Sequence, residues 1–227
     1  MTYTRKNLRG KTLEKYKETL ELTNVQKEVL IGTLLGNASF SLRKNKPFYS
    51  VKFEQGIKHE AYINHLYEIF EPYVGSPPVK RIINKKDFIE KGSSPREAIW
   101  FRTYSHDSLI FYYNLFYKEK KQSNSNFVTS KIKIVPRNIH KFLTPRALAY
   151  WFMDNGTKGN NFYLLHTQGF SKEDSTFLCN VLKQLYQLEC SLNQDHGSLR
   201  IKISSKSTEE FRNLISAYLI PDFYYKL

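Results

Sequence analysis

One pattern occurs twice in this chain, and no other feature constrains the fold as much. Residues 148–157 read Leu-Ala-Tyr-Trp-Phe-Met-Asp-Asn-Gly-Thr, and residues 30–38 read Leu-Ile-Gly-Thr-Leu-Leu-Gly-Asn-Ala. Each is an apolar helical stretch ending in an amide, Asn155 in one copy and Asn37 in the other. The flanks repeat as well. Phe53-Glu-Gln-Gly-Ile-Lys-His-Glu60 leads into a helical pattern at 61–73, and His166-Thr-Gln-Gly-Phe-Ser-Lys-Glu173 leads into another at 174–188. Ile99 to Ser105 runs into a helical pattern at 106–117, and Leu199 to Ser205 runs into one at 208–218. Matched segments in one order give each half the reading helix, strand, strand, helix, strand, strand, helix. The expected class is α+β, with two pseudo-symmetric αββαββα halves at 1–117 and 144–227 and a linker at 118–143.

The strand segments alternate with period two, as a sheet with one buried face requires. Phe40 and Leu42 fall on one side of their strand, and Ser39, Ser41 and Arg43 on the other. Lys52 and Glu54 fall on the outward side of Val51–Gln55. Trp100, Arg102 and Tyr104 share a face. Leu199, Ile201 and Ile203 point inward, and Arg200, Lys202 and Ser204 outward. Asp195-His-Gly197 supplies a turn between the last two strands. Any one-sided antiparallel sheet shows polar outward residues; here the outward charges are mostly positive. The whole chain of 227 residues carries a formal net charge of +14, which favours a polyanionic partner. Two such sheets would make a basic saddle for a duplex.

Other features narrow the class. Aromatics at 15% and hydrophobics at 41% provide for a packed core rather than a basic disordered tail. Cys179 and Cys190 have no histidines at zinc-finger spacing and read as buried free thiols in a reducing compartment. No apolar run approaches the roughly 20 residues that cross a bilayer, and the basic segment Met1–Lys11 lacks the apolar core of a secretory signal. Lys118 to Asn126 is polar and rich in breakers, which predicts a mobile surface linker. Ser130 to Pro136 alternates charge with Ile, which suits ordering against either the core or the ligand.

The motif helices have clear ends. Thr144 is placed to cap the second, with Pro145 at its first position and Asn155-Gly156 at its stop. The first starts at Thr23 or Asn24 and ends near Asn37. Gly32 and Gly36, four apart, share a face and predict close approach of another helix.

Leu143-Thr-Pro-Arg-Ala-Leu-Ala-Tyr-Trp-Phe-Met-Asp154, Gly32-Thr-Leu-Leu-Gly36, Ser76-Pro-Pro78, Tyr218-Leu-Ile-Pro221 and Tyr225-Lys-Leu227 together resemble the LAGLIDADG homing endonucleases in their single-chain, two-motif form. The resemblance covers most of the chain. It implies paired LAGLIDADG helices at the interface of the halves, flanking antiparallel DNA-binding sheets, and a metal-dependent double-strand break at a long asymmetric site in double-stranded DNA. It implies a monomer in the mitochondrial matrix, with no membrane partner; intron RNA is an alternative partner, through maturase activity. The implied cofactor is Mg²⁺ or Mn²⁺, with Ca²⁺ as a non-catalytic substitute. By position the metal sites are Asn37 and Asn155, helped by the carbonyls of Gly36 and Asp154. Lys133 and Lys226 are the matching basic residues beside each site, so the catalytic set is Asn37, Asn155, Lys133 and Lys226. The expected DNA contacts are Ser39, Ser41, Arg43, Lys52, Lys80, Arg81, Arg102, Arg200 and Lys202. The chain departs from the family where the pattern calls for Asp at both 37 and 155. An Asn offers one oxygen and no charge, so DNA binding with strongly impaired cleavage is expected.

Overall fold

A computed structural model describes residues 8–43, 46–83, 96–121, 128–195 and 198–227. The turn at His196-Gly197 and the start of the basic N-terminal segment lie outside the described residues. The chain makes two compact units. One comprises the chain up to Gln26 together with Asn37–Ile110, and the other Lys27–Gly36 with Phe111–Leu227.

After helix α1 (Gly10–Lys17), the first half runs α2 (Asn24–Leu35), β1 (Ser39–Arg43), β2 (Lys46–Gly56), α3 (Glu60–Phe70), β3 (Val79–Ile83), β4 (Arg96–Arg102) and α4 (Ile110–Phe116). A hairpin of β5 (Tyr117–Lys121) and β6 (Val128–Lys133) follows. The second half runs α5 (Pro145–Asn155), β7 (Gly156–Lys158), β8 (Tyr163–His166), α6 (Lys172–Tyr186), β9 (Cys190–Asp195), β10 (Ser198–Ile203) and α7 (Thr208–Ile215), ending in a 3₁₀ turn at Pro221–Lys226. Both halves therefore have the expected order αββαββα. Their sheets share one antiparallel topology, β1-β2-β4-β3 in the first and β7-β8-β10-β9 in the second.

Alternation decides which way each sheet faces. In the first, Val51, Phe53 and Phe101 are buried, and Phe53 lies 5.0 Å from Phe70 of α3 and 4.9 Å from Phe101. In the second, Tyr163, Leu165, Ile201 and Ile203 are buried, and Tyr163, Phe152 and Phe211 form a ring cluster with centroids 5.0 to 5.5 Å apart. Cys179 and Cys190 are buried free thiols, their sulfurs 3.2 Å apart.

The caps explain the helix starts. At α2, Thr23 and Gln26 bond reciprocally: the Thr23 N–H donates to Gln26 Oε1 at 2.9 Å, and the Gln26 N–H donates to Thr23 Oγ1 at 3.2 Å. At α5 the Ala147 N–H donates to Thr144 Oγ1 at 3.2 Å, with Pro145 in the first turn.

The segment between the halves differs from a plain linker. Residues 117–121 and 128–133 pair as antiparallel strands, because the charge–Ile alternation at 130–134 suits a strand. The Ile134 N–H also donates to the Phe116 carbonyl at 2.8 Å. Residues 122–126 of the expected linker lie outside the described residues.

Most of α2, with Gly36 just past it, belongs to the second unit because the two motif helices pack on each other there. A Cβ at Gly32 would overlap the Ala147 carbonyl and meet Tyr150 Cβ at 2.9 Å; one at Gly36 would overlap the Asp154 side chain. Arg146 of α5 reaches across to Glu28 of α2 and lies 4.9 Å from the Tyr218 ring. Glycine at these positions is a requirement of contact, since helix propensity alone favours alanine by about 1 kcal/mol. Gly32→Ala is therefore expected to destabilise by about 1–3 kcal/mol despite its propensity gain, because the facing atom is backbone and cannot swing away. Urea denaturation checks this; an unchanged or raised midpoint refutes the contact.

Candidate functional site

An α-helix ends with carbonyls that no intrahelical N–H satisfies, and with partial negative charge. In this chain two lysines meet those ends. Lys133 of β6 donates to the Gly36 carbonyl, just past α2, at 3.1 Å. Lys226 donates to the Met153 carbonyl at 3.0 Å and the Gly156 carbonyl at 2.9 Å, at the end of α5. Each ammonium also faces an aromatic ring. Lys133 lies 5.9 Å from Phe170, and Lys226 lies 4.8 Å from Phe223. The two lysines singled out in the sequence thus occupy matching places at the ends of the two motif helices.

Burial lowers the Lys133 amine to about 8, against the opposing charge of Asp154. Near neutral pH it is an ammonium that loses its proton more readily than an exposed lysine. The Asp154 carboxylate is half-buried and packs on Gly36.

The amides differ in setting. Asn37 is exposed, and its Nδ2 donates to Gln55 Oε1 at 3.3 Å. Asn155 is half-buried at the last position of α5. Gln55 was missed as a site residue from sequence, and so was Gln168, which lies 3.2 Å from His166 Nδ1. Their signal was the Gln-Gly pair that recurs in both halves. His166 Nε2 meets Thr157 Oγ1 at 2.8 Å. Burial lowers its pKa, helped by Arg200 and Lys226, so its imidazole is neutral at pH 7.

These residues do not suit a catalytic divalent cation. Mg²⁺ is ordinarily held by carboxylates with waters and phosphate oxygens. Here the two positions carry neutral amides. The Gly36 carbonyl already accepts an ammonium, and the nearby Asp154 carboxylate faces that same ammonium. Among the described residues no cluster of three or more His, Cys, Asp or Glu is placed to hold a metal.

The outward sheet residues sort by register. On the first sheet Ser39 pairs with Lys52 and Lys52 with Arg102, so the three form one row. Glu54, Trp100 and Val79 form the next, and Ala98 and Arg81 the one after. Lys52 lies 5.4 Å and Arg102 6.0 Å from the Trp100 ring. Ser41 keeps the same parity on β1. On the second sheet Arg200 lies between His166 and Asn193, and Lys202 lies 4.5 Å from the Phe162 ring.

Lys80 is a correction to the expected outward set. It pairs with the inward-facing Ile99 and is held by Glu60 at the start of α3, at 2.9 Å, on the helix side of the sheet. Arg81, one residue on, takes the outward place, because a strand alternates sides at every residue. The backbone of Arg43 belongs to β1, but its side chain lies outside the described residues.

Lys133 carries a stability signature. In the unfolded chain its amine stays protonated up to its ordinary value of 10.5, and in the folded chain only up to about 8. Between those values the unfolded state binds more protons, so this residue's contribution to stability rises with pH across that window. Wild-type stability minus that of Lys133→Met, from urea curves at each pH, is expected to be level below pH 7.5 and to climb from 8 to 10.5. A level difference throughout overturns the assignment.

Comparison with known proteins agrees with this fold. The model of the LAGLIDADG DNA endonuclease family matches residues 27–211. The chain is 33% identical to the probable intron-encoded endonuclease 1 of Wickerhamomyces canadensis, over 96% of this chain and 90% of that protein. It is 26% identical to the cytochrome b mRNA maturase bI2 of Saccharomyces cerevisiae, over 88% of this chain and 46% of that longer protein. Its fold superposes on the homing endonuclease I-WcaI, solved bound to its DNA recognition sequence, with a TM-score of 0.81 and 30% identity, covering 97% of this chain and 94% of that one. With two motif helices, two sheets of one topology and a family match over most of its length, the chain belongs to the LAGLIDADG DNA endonuclease family.

Proposed function

We propose that this protein binds a long asymmetric site in double-stranded DNA and cleaves it weakly or not at all. The outward cations Lys52, Arg81, Arg102, Arg200 and Lys202 support binding, as does the overall charge of +14. The observation that carries the loss of cleavage is the pair of neutral amides at the motif-helix ends, each beside a carbonyl taken by an ammonium or a helix cap.

Hydrolysing a phosphodiester requires an activated water and stabilisation of charge on both the phosphorus centre and the leaving oxygen. Family enzymes obtain this from divalent cations held by two acidic residues. A carboxylate–cation attraction at 4 Å is worth about 4 kcal/mol at an effective dielectric near 20. Losing half of it costs roughly 30-fold per site. The residues that remain hold DNA: Lys133 and Lys226 carry positive charge at the helix ends, and the sheets present the bases' partners.

A second reading has one supporting observation, the similarity to a maturase. A protein that assists intron RNA folding has no need of acids at 37 and 155, and the same basic faces would meet RNA phosphates. Affinity for intron RNA above that for duplex DNA at equal salt would favour it. Either reading places the protein with the intron-bearing genome, in the mitochondrial matrix.

Two outcomes are expected. Duplex binding should weaken at least about tenfold between 50 and 200 mM salt, since several phosphates are neutralised together; a flat response counts against the basic faces. On a plasmid bearing the bound site, with Mg²⁺, the variant Asn37→Asp with Asn155→Asp should cut at least about 30-fold faster than the wild type. Efficient cutting by the wild type, with intact mass excluding deamidation at Asn155-Gly156, would sink the proposal.

A further inference from the structure

The basic face of the first sheet has an acid at its centre. Glu54 stands outward on β2, directly opposite Trp100 of β4. One carboxylate oxygen pairs with Lys52, and the other with an outer nitrogen of Arg81 on β3. Lys52 also stands over the Trp100 ring. Burial pushes the Glu54 carboxyl up, but the two cations outweigh it and hold it below the usual carboxylate range. It is therefore ionised wherever the protein binds nucleic acid.

A carboxylate on a surface built for phosphate is unfavourable to binding alone. It repels the backbone of any duplex, whatever the sequence. It also holds two cations that would otherwise reach for phosphates, and phosphate contacts carry no sequence information. What a carboxylate does recognise in the major groove is an exocyclic amino group, and cytosine N4 is the usual one. The arginine beside it has donors for guanine O6 and N7. A carboxylate and a guanidinium held side by side present one acceptor and several donors, and a G·C pair presents the complementary set.

We propose that Glu54 is a specificity-determining residue that, clamped between Lys52 and Arg81, reads a G·C pair in the major groove and withholds both cations from non-specific phosphate contact. The inference rests on the DNA-binding reading given above. On the second sheet the described outward side chains opposite and beside Arg200 and Lys202 are His166, Asn193, Ser191 and Leu164, none of them acidic. Among these described positions Glu54 has no acidic counterpart.

Selection from a random duplex library, followed by sequencing, reads the preference at every position. The wild type should enrich a site with at least one strongly preferred G·C pair. Glu54→Gln, which keeps the shape and removes the charge, should lose preference at that pair and keep the rest. It should also bind unselected duplex several-fold more tightly, with a salt slope steeper by about two. Arg81→Met should lose the same position. Both variants should unfold at the wild-type temperature, since the cluster is at the surface. Identical preferences in wild type and Glu54→Gln overturn the inference while leaving DNA binding intact, and so does loss at an A·T pair. Uniform weakening on all sequences also overturns it, as the mark of a structural role. Enrichment of no sequence by the wild type overturns the DNA-binding reading and the inference with it.

Discussion

The close contact of residues 27–36 with α5 is the constraint from which the rest of the site follows. Gly32 and Gly36 remove the side chains that would hold the helices apart, so backbone meets backbone at Ala147 and side chain meets Cα at Asp154. The larger residues of α5, including Trp151 and Phe152, are then fully buried. Such a contact tolerates little adjustment, because interiors are packed to near-crystalline density. It fixes where the two helices stop and therefore where their last carbonyls point. The Arg146–Glu28 pair fastens the opposite end of the same contact.

Two packed helix ends concentrate partial negative charge. A family enzyme answers it with metal ions bound by acids. In this chain ammonium groups also meet those ends, Lys133 on Gly36 and Lys226 on Met153 and Gly156. Acids at positions 37 and 155 would add two negative charges at the helix ends. The lysines would then neutralise acids in the free protein or stand beside a metal in the bound one.

Much of this was legible in the sequence, for identifiable reasons. Periodicity marked the strand segments 39–43, 51–55 and 198–204 and which of their residues face outward, because a one-residue slip would bury Arg200 and Lys202. The caps at Thr23 and Thr144 and the glycine pair announced the motif helices. Lys80 and Arg81 were not separable, since adjacent residues on an exposed edge strand show no apolar alternation to set their parity: Val79 and Ile82 are both exposed. Gln55 was hidden for another reason. The Gln-Gly pair that recurs in both halves marks the position, but only the bond to Asn37 shows what Gln55 touches. The hairpin at 117–133 was masked by its polar composition, which resembles a loop until the pairing of its strands is seen.

The two halves share their inward faces and differ in their outward ones. Phe53 and Phe101 in the first sheet correspond to Leu165 and Ile201 in the second as buried positions of the same topology. Outward, the first sheet carries Trp100 with Glu54 between two cations, and the second carries Arg200 beside a neutral His166 and Lys202 over Phe162. Packing preserves the first kind of position, since any change there costs stability. Nothing in packing preserves the second kind. A duplicated scaffold whose outward residues diverge therefore suits a ligand whose two halves differ. A DNA site without twofold symmetry is such a ligand, and each sheet must then be decoded from its own residues rather than inferred from the other.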